Sequence, residues 1–206
     1  MLNHAYPKKV TLRDGRSVTV RPLADGDFDK LFGFFQTLPE EDRLFLRHDV
    51  TDPQIVGAWV ANLDFNRVIP LVAEDEDKIV ADATLHLATH GWSQHAGQVR
   101  LVTARTHRRV GLGTVLTREL VGLAEERGLE KLQTHVIEDD VGSVKMFSRL
   151  GFVTAAVLKE WVKDRGGTKR NLAIMTNNVP DLTRIMEEWI LQTMQAAFRV
   201  PDDGVA

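Results

Sequence analysis

Residues 108–113 read Arg-Arg-Val-Gly-Leu-Gly and join a β-prone run to a segment with helical periodicity. Gly111 and Gly113 carry no Cβ atom, so the backbone around them can approach a ligand closely. A helix that begins here turns its unpaired N–H groups and the positive end of its dipole toward that ligand. This strand, glycine turn and helix therefore predict an anion site, and phosphate is the anion that such sites bind most often.

Two well-known phosphate-binding loops do not match this turn. A dinucleotide-binding loop needs a third Gly or Ala three residues after Gly113, where this chain has Leu116, and it stands in an early βαβ unit. A nucleoside-triphosphate loop needs Gly-Lys-Ser/Thr, whereas Thr114 and Val115 follow Gly113. The glycine pair alone is a weak signal, so the surrounding chain must decide what it binds.

The composition limits the classes of protein to which the chain can belong. Its 206 residues, 43% of them hydrophobic, suit one domain. The 26 basic and 29 acidic residues are well mixed and give a net charge of −3, so we expect no broad basic face for nucleic acid or an anionic membrane. The absence of cysteine excludes disulfides and thiolate metal sites. No apolar run approaches the roughly 20 residues of a membrane span, so we expect a cytoplasmic protein.

The apolar periodicity predicts the elements that position the turn. Strands are predicted at residues 9–13, 17–23, 68–73, 79–87, 98–103, 131–136, 152–162 and 171–175; helices are predicted from Asp27 and Pro39 and over 53–63, 111–127, 141–150 and 180–200. Asp27 and either Asp139 or Asp140 are predicted helix caps. Strands interleaved with helices in this order predict an α/β or α+β fold, with a mixed sheet covered on its faces.

The predicted domain organisation is simple. We expect one domain over residues 1–179 and an amphipathic helix over 180–200. The apolar side of that helix, which includes Trp189, would pack on the domain or form a homodimer interface. Residues 201–206 are expected to form a tail.

The spacing of Arg108, Gly111 and Gly113 resembles the Arg/Gln-x-x-Gly-x-Gly/Ala signature of the GNAT N-acetyltransferase superfamily. Arg21-Pro22-Leu23 followed by Asp27 resembles the opening strand and first helix of that family, and Ser148-Arg149-Leu150-Gly151-Phe152 resembles the end of its second conserved helix. The order of strands and helices also matches, so the resemblance covers roughly residues 17 to 176.

The resemblance implies a mostly antiparallel central sheet with one splayed strand pair, and acetyl-CoA as the acyl donor. By this resemblance, the N–H groups of Arg109, Val110, Gly111, Leu112, Gly113 and Thr114 would hold the pyrophosphate. Arg108, Arg109 and Lys145 would add positive charge around the phosphates of the cofactor. An alternative interpretation is that these cations are solvated at the surface and bind nothing. The main chain of Leu101, Val102 and Thr103 would hold the pantetheine arm and polarise the thioester carbonyl. Phe147 would also contact the cofactor.

The resemblance further implies direct attack of a substrate amine on the thioester. Such an amine has a pKa of about 10.4, so a base must remove its proton. Glu138, beside the expected gap between splayed strands, and Glu74 are candidates, and Asp82, an acid within an apolar strand, is a third. Glu138 could instead complement the positive end of the next helix. Family members often protonate the leaving thiolate with a Tyr where this chain has Phe147; its only tyrosine is Tyr6.

A second group of candidate site residues lies close together in the sequence: His86, His90, His95 and Trp92. Histidines at these intervals can bind a metal, but no carboxylate shares their spacing and the segment crosses a loop. We therefore expect no metal site, and we interpret these residues as the rim of a substrate pocket or as plain surface.

Two hypotheses for function follow from the resemblance. In the first, the chain transfers acetyl from acetyl-CoA to an amine of a small molecule or to a protein lysine. Leu12-Arg13-Asp14-Gly15-Arg16 resembles the opening of bacterial protein-lysine acetyltransferases, so a protein lysine stays among the possible acceptors. In the second, Phe147 in place of Tyr marks a regulatory module that binds acyl-CoA without catalysis.

Overall fold

The computed structural model describes residues 6–43, 46, 48–164, 166–185 and 188. The strands are β1 (Lys8–Thr11), β2 (Ser17–Pro22), β3 (Val68–Asp75), β4 (Lys78–Leu87), β5 (Ala96–Thr103), β6 (Lys131–Ile137), β7 (Val153–Lys163) and β8 (Lys169–Asn178). The helices are α1 (Phe28–Thr37), α2 (Glu40–Arg43), α3 (Pro53–Ala61), α4 (Leu112–Glu126) and α5 (Val141–Arg149). The predicted strands and helices within the described residues are thus confirmed, with small differences at their ends.

One sheet contains all eight strands in the order β1-β2-β3-β4-β5-β6-β8-β7. Neighbouring strands are antiparallel except β5 and β6, which run parallel. That pair is in register only from Ala96 opposite Lys131 to Val99 opposite Thr134. Beyond this point β5 continues to Thr103 and β6 to Ile137 without pairing, so the two strands part. The splayed strand pair is therefore confirmed.

Helices cover both faces of the sheet. On one face, α4 buries its apolar stripe, including Leu116 and Leu120, against sheet residues such as Leu85 and Val99. On the other face, α1 and α3 form a second cluster, in which Phe35 and Val56 join sheet residues such as Val72. Burying apolar area on both faces fixes the sheet between two layers, as the predicted fold class requires.

Asp27 does not cap α1, contrary to the prediction. Its carboxylate accepts hydrogen bonds from both terminal nitrogens of Arg21, at 2.6 and 2.7 Å, and from the N–H of Ala24 at 2.8 Å. Arg21 also binds Glu74 of β3 at 2.6 Å. A charge-assisted bond to a guanidinium is stronger than a neutral cap, so the carboxylate ties α1 to β2 and β3 instead. Asp140 does cap α5, accepting from the N–H of Ser143 at 3.1 Å.

The chain after β8 packs back on the domain. Residues 179–185 are helical, and Val179 and Leu182 belong to the core on the α4 face. The remainder of the helix predicted over 180–200, with Trp189, and the tail predicted over 201–206 lie outside the described residues, apart from residue 188. Among the helices that the structure describes, none combines the length and the apolar character that spanning a membrane requires.

Candidate active site

A cavity of about 1350 Å³ follows the gap between β5 and β6 and continues under α1 and α3. We call its cationic part the anion end; it is lined by Arg13, Arg108, Arg109, Gly111, Gly113, Thr114, Arg118, Lys145 and Arg149. We call the polar part of the sheet face the acceptor chamber; it is lined by Asp82, Thr84, His86, Gln98 and Arg100. The cavity thus joins the predicted phosphate turn to a separate polar pocket.

The backbone of the glycine turn explains both glycines. Gly111 precedes the first turn of α4 with φ +94°, a left-handed conformation that side chains disfavour. At Gly113, a Cβ atom would lie 2.8 Å from Sδ of Met146 and 3.1 Å from Cδ2 of Leu101, so a larger residue there would have to displace these two side chains. No described side chain caps α4, and its first N–H groups remain available for an anion.

Two arginines that the sequence analysis did not select lie beside this turn. The side chain of Arg13 lies 3.5 Å from where a Cβ atom on Gly111 would stand, and its backbone N–H donates to the carbonyl of Val110 at 3.0 Å. Burial, together with the nearby charge of Arg13, lowers the pKa of Arg118 on α4. Two guanidinium groups that repel each other favour an anion between them.

The side chain of Arg108 is engaged by two groups outside the glycine turn. Its Nε donates to the carbonyl of Thr103 at 3.1 Å, and its Nη2 binds Asp42 of α2 at 2.8 Å. Arg105 binds the same Asp42 at 3.0 Å. In this structure Arg108 therefore holds α2 against the end of β5.

The other residues predicted for the cofactor divide between the cavity and the core. Arg109, Gly111, Gly113, Thr114, Lys145 and Phe147 line the cavity. Leu112 is fully buried in the core and Val110 packs against it, so these two residues can offer a ligand only their backbone.

The main chain of β5 faces the gap at alternate residues. The N–H of Ala104 donates to the carbonyl of Val80, near the start of β4, at 2.8 Å. Because main-chain groups alternate in direction along a strand, those of Val102 also face β4, while those of Leu101 and Thr103 face the gap. Of the three predicted main-chain contacts, Leu101 and Thr103 are thus oriented toward the cavity and Val102 is not.

Asp82 is one of the acids that line the cavity. It lies on β4 opposite Val102 of β5, and its half-buried side chain lines the acceptor chamber. Within the described part of the chain, no hydrogen bond or ion pair engages its carboxyl group. Burial without a compensating partner raises the pKa of Asp82 to about 7. A carboxyl with this pKa can accept and release a proton near neutral pH.

Neither of the other two candidate bases lines the cavity. Glu74 binds Arg21 at 2.6 Å and Lys30 at 3.1 Å, and these cations, Arg21 above all, hold its pKa below the ordinary range. Glu138 accepts from the side-chain amide of Asn171 at 2.7 Å and lies beside a shallow groove at the end of β6. Both carboxylates are held by partners that direct them elsewhere.

The structure provides no tyrosine at the place that the resemblance suggested. Phe147 is buried and packs edge to face on Phe152, with ring centroids 5.2 Å apart. Tyr6 donates its hydroxyl to Glu119 at 3.0 Å, away from the cavity. The buried Thr134 lines the cavity where β5 and β6 part.

His86, His90, His95 and Trp92 do not come together in one site. His86 lines the acceptor chamber, with Nε2 3.0 Å from the hydroxyl of Thr84. His90, His95 and Trp92 are exposed and lie outside the cavity. Across the part of the chain that the structure describes, no group of three or more His, Cys, Asp or Glu side chains is arranged to bind a metal.

Comparison with known proteins agrees with this geometry. Residues 27–152 match the sequence profile of the acetyltransferase (GNAT) family. The GNAT domain of S. lividans PAT has 18% identity and a TM-score of 0.68, with 84% of this chain and 96% of that chain covered. The structure of yncA from Salmonella typhimurium with its cofactor acetyl-CoA has 17% identity and a TM-score of 0.67, with coverages of 79% and 94%.

A third similar structure is the ribosomal-protein-S5-alanine acetyltransferase from Vibrio fischeri. It has 16% identity and a TM-score of 0.70, and the match covers 80% of this chain and 94% of that chain. Identities this low show that the fold is shared. They do not identify the acceptor of this chain.

Proposed function

This chain belongs to the acetyltransferase (GNAT) family, whose members use acetyl-CoA as donor, and we propose that it acetylates a primary amine held in the acceptor chamber, with Asp82 as general base. The observation that carries the proposal is the position of Asp82, whose unpaired carboxyl faces the cavity opposite β5. The proposed acceptor is an amine of a small molecule or a protein lysine. The cytoplasmic location and the homodimer stay predictions.

The anion end would hold the phosphates of acetyl-CoA. The uncapped first turn of α4 offers N–H donors, and Arg13, Arg109 and Lys145 supply charge around it. The main-chain groups of Leu101 would face the pantetheine arm across the gap. This arrangement directs the thioester toward the acceptor chamber, because the cavity is continuous between the two.

The proposed reaction needs two protons removed from the acceptor nitrogen, one before attack and one after it. An ammonium of pKa about 10.4 must lose a proton before it can attack, and the Asp82 carboxylate accepts it. The amine nitrogen then bonds to the thioester carbonyl carbon, the C–S bond breaks and CoA leaves as a thiolate, while the nitrogen releases its second proton to solvent and becomes the neutral amide. A thiol of pKa about 8.5 is a fair leaving group, so the thiolate can take its proton from solvent without a tyrosine.

The direct test follows acetyl-CoA binding and turnover separately. We expect acetyl-CoA to raise the melting temperature of the purified chain, because it binds the folded state alone. We also expect CoA release, detected with a thiol reagent, when a panel of amines is added. Binding without release for any amine would instead support the regulatory acyl-CoA-binding module. Absence of binding would contradict both functions.

Arg13 provides a sharper test of the donor site. We expect Arg13→Met to weaken acetyl-CoA binding by about 10-fold or more, because a charge-assisted contact contributes about 1.5–3 kcal/mol. Isothermal titration calorimetry measures the change. Lys9→Met, an exposed cation on the same hairpin that does not line the cavity, serves as the control. Equal affinity in the two variants would remove Arg13 from the site.

A further inference from the structure

We propose that Thr134 is a catalytic residue whose hydroxyl donates a hydrogen bond to the sulfur of CoA as the thioester breaks. This inference rests on the proposed function and adds the group that stabilises the leaving thiolate, a task for which Phe147 has no polar atom. It derives from a buried hydroxyl that no described residue engages, at the closed end of the gap between β5 and β6.

Thr134 is a buried polar residue in the cavity wall. Only 2% of its surface is exposed, and it lines the cavity. Among the residues that the structure describes, none donates to its hydroxyl or accepts from it. By contrast, the hydroxyl of Thr117, which is also buried, donates to the carbonyl of Gly113 at 2.8 Å. Burying a hydroxyl without a partner lowers stability, so the fold gains nothing from this one, and it stays available to a ligand.

The position of Thr134 along β6 coincides with the closed end of the gap. The last register pair of β5 and β6 joins Val99 to Thr134, and the two strands part beyond it. The glycine turn follows β5 at the open end of the gap. From Val99 to Thr103, β5 extends about 13 Å along the gap, which an extended pantetheine arm can span. An arm that enters from the turn would therefore bring its thioester toward Thr134.

The proposed base and this hydroxyl lie on opposite faces of the sheet. Thr134 alternates with Leu132 and Val136, which belong to the core on the α4 face, so it projects to that face. Asp82 is in register with Val72 of β3, which belongs to the cluster under α1 and α3. A thioester held in the gap can therefore accept the amine from the face of Asp82 and release its sulfur toward Thr134.

The hydroxyl acts as a hydrogen-bond donor and keeps its proton, because it is a weaker acid than a thiol. The C–S bond breaks with its electron pair going to sulfur, and the thiolate accepts the hydrogen bond before it takes a proton from solvent. The main chain of Leu101 faces the gap from β5 and would serve the thioester carbonyl, which leaves the sulfur to Thr134. A hydrogen bond to an ion is stronger than one to a neutral group, so this contact favours the departing thiolate over the intact thioester.

Thr134→Val removes the hydroxyl and keeps the shape of the side chain. We expect kcat to fall about 10- to 100-fold, the range for one hydrogen bond to a charged group, with the KM for acetyl-CoA unchanged. Thr134→Ser keeps the hydroxyl and should keep most of the turnover. Thr176→Val, at a half-buried position of β8 outside the cavity, is the matched control. The melting temperature of Thr134→Val should equal or exceed that of the wild type, because valine buries no polar group.

Binding of free CoA tests the contact without any acceptor. A donor at the sulfur favours the thiolate, so the wild-type affinity for CoA should rise about 10-fold as the pH increases through the thiol pKa of about 8.5. S-methyl-CoA has no ionisable thiol and corrects for every other group that titrates in this range. The rise should be lost in Thr134→Val and kept in Thr134→Ser. Isothermal titration calorimetry at a series of pH values measures it.

Three results would overturn this inference while the proposed function stands. A wild-type kcat in Thr134→Val would show that the thiolate leaves without help. Equal losses of turnover in Thr134→Val and Thr134→Ser would assign the residue to packing. The same pH dependence of CoA binding in the wild type and Thr134→Val would remove the hydroxyl from the sulfur. Binding of acetyl-CoA without CoA release for any amine would instead contradict the proposed function, and the pH dependence of CoA binding would still test Thr134.

Discussion

Gly111→Glu is expected to reduce the affinity for acetyl-CoA by about 100-fold or more, because it puts a like charge where phosphate should bind. The substitution acts at the residue that precedes the uncapped first turn of α4. The new side chain would begin 3.5 Å from Nε of Arg13, so its carboxylate would also compete for that cation. Calorimetry with acetyl-CoA and the shift in melting temperature both measure the loss.

The same chain offers a control for the backbone strain that this substitution introduces. Gly128 ends α4 with φ +67°, and no atom lies within 4 Å of a Cβ built there. Gly128→Glu therefore imposes a comparable left-handed strain, of about 1–2 kcal/mol, without touching the cavity. We expect similar losses of stability in the two variants and a loss of acetyl-CoA binding in Gly111→Glu alone. Equal binding by the two variants would contradict an anion site at the turn.

The features predicted best from the sequence are those that local chemistry determines. Gly111 and Gly113 could be selected because their need for a missing Cβ and their place before a helix are visible within a few residues. Asp82 could be named as a third candidate base because an acid inside an apolar strand is conspicuous, and its role stays a prediction. Strand and helix periods likewise depend on neighbouring residues, so the order of elements could be predicted as well.

The features that were missed depend on contacts between distant segments. Arg13 reaches the glycine turn only because the hairpin of β1 and β2 packs against it, through the N–H bond to Val110. Arg108 is predicted to bind phosphate, which stays a prediction, and its ion pair with Asp42 of α2 at 2.8 Å could not be foreseen from the sequence. Glu138 lies close in sequence to the gap, but Asn171 of β8 directs its carboxylate elsewhere. The residues near them in the sequence do not indicate which distant residues they contact.

The choice of the general base among three carboxylates also depends on contacts that the sequence does not show. Glu74, Glu138 and Asp82 have the same intrinsic chemistry, and the sequence analysis placed Glu138 and Glu74 ahead of Asp82. Arg21 lowers the pKa of Glu74, whereas burial without a partner raises that of Asp82 to about 7. The surroundings in the folded chain, which three-dimensional packing sets, thus decide which carboxyl is suited to proton transfer.

Asp82→Asn is expected to lower kcat/KM by about 10²- to 10⁴-fold, the usual contribution of a general base, and to leave acetyl-CoA affinity unchanged. Asparagine keeps the size of the side chain but cannot take the proton of an ammonium. Glu138→Gln is the matched control, and we expect near-normal turnover because Glu138 lies outside the cavity. If Glu138→Gln lost activity and Asp82→Asn kept it, the base would have to be reassigned.

The pH dependence of the wild type and of Asp82→Asn separates a base from a merely structural residue. Because burial raises the pKa of Asp82 to about 7, the wild-type rate should fall as the pH drops through that value, and this limb should vanish in the variant. The free energy of unfolding changes with pH in the opposite direction to the rate. Between the unfolded pKa of 3.8 and the folded value of about 7, the folded chain holds a proton that the unfolded chain has lost. The wild type therefore loses stability as the pH rises through this window.

Asp82→Asn has no such proton to lose, so above pH 7 it should unfold at a higher denaturant concentration than the wild type. A variant that is more stable yet nearly inactive is the result expected when a carboxyl with a raised pKa is kept for its chemistry at a cost to folding. A structural carboxylate would give the reverse, with lower stability and a turnover that falls only as far as folding does.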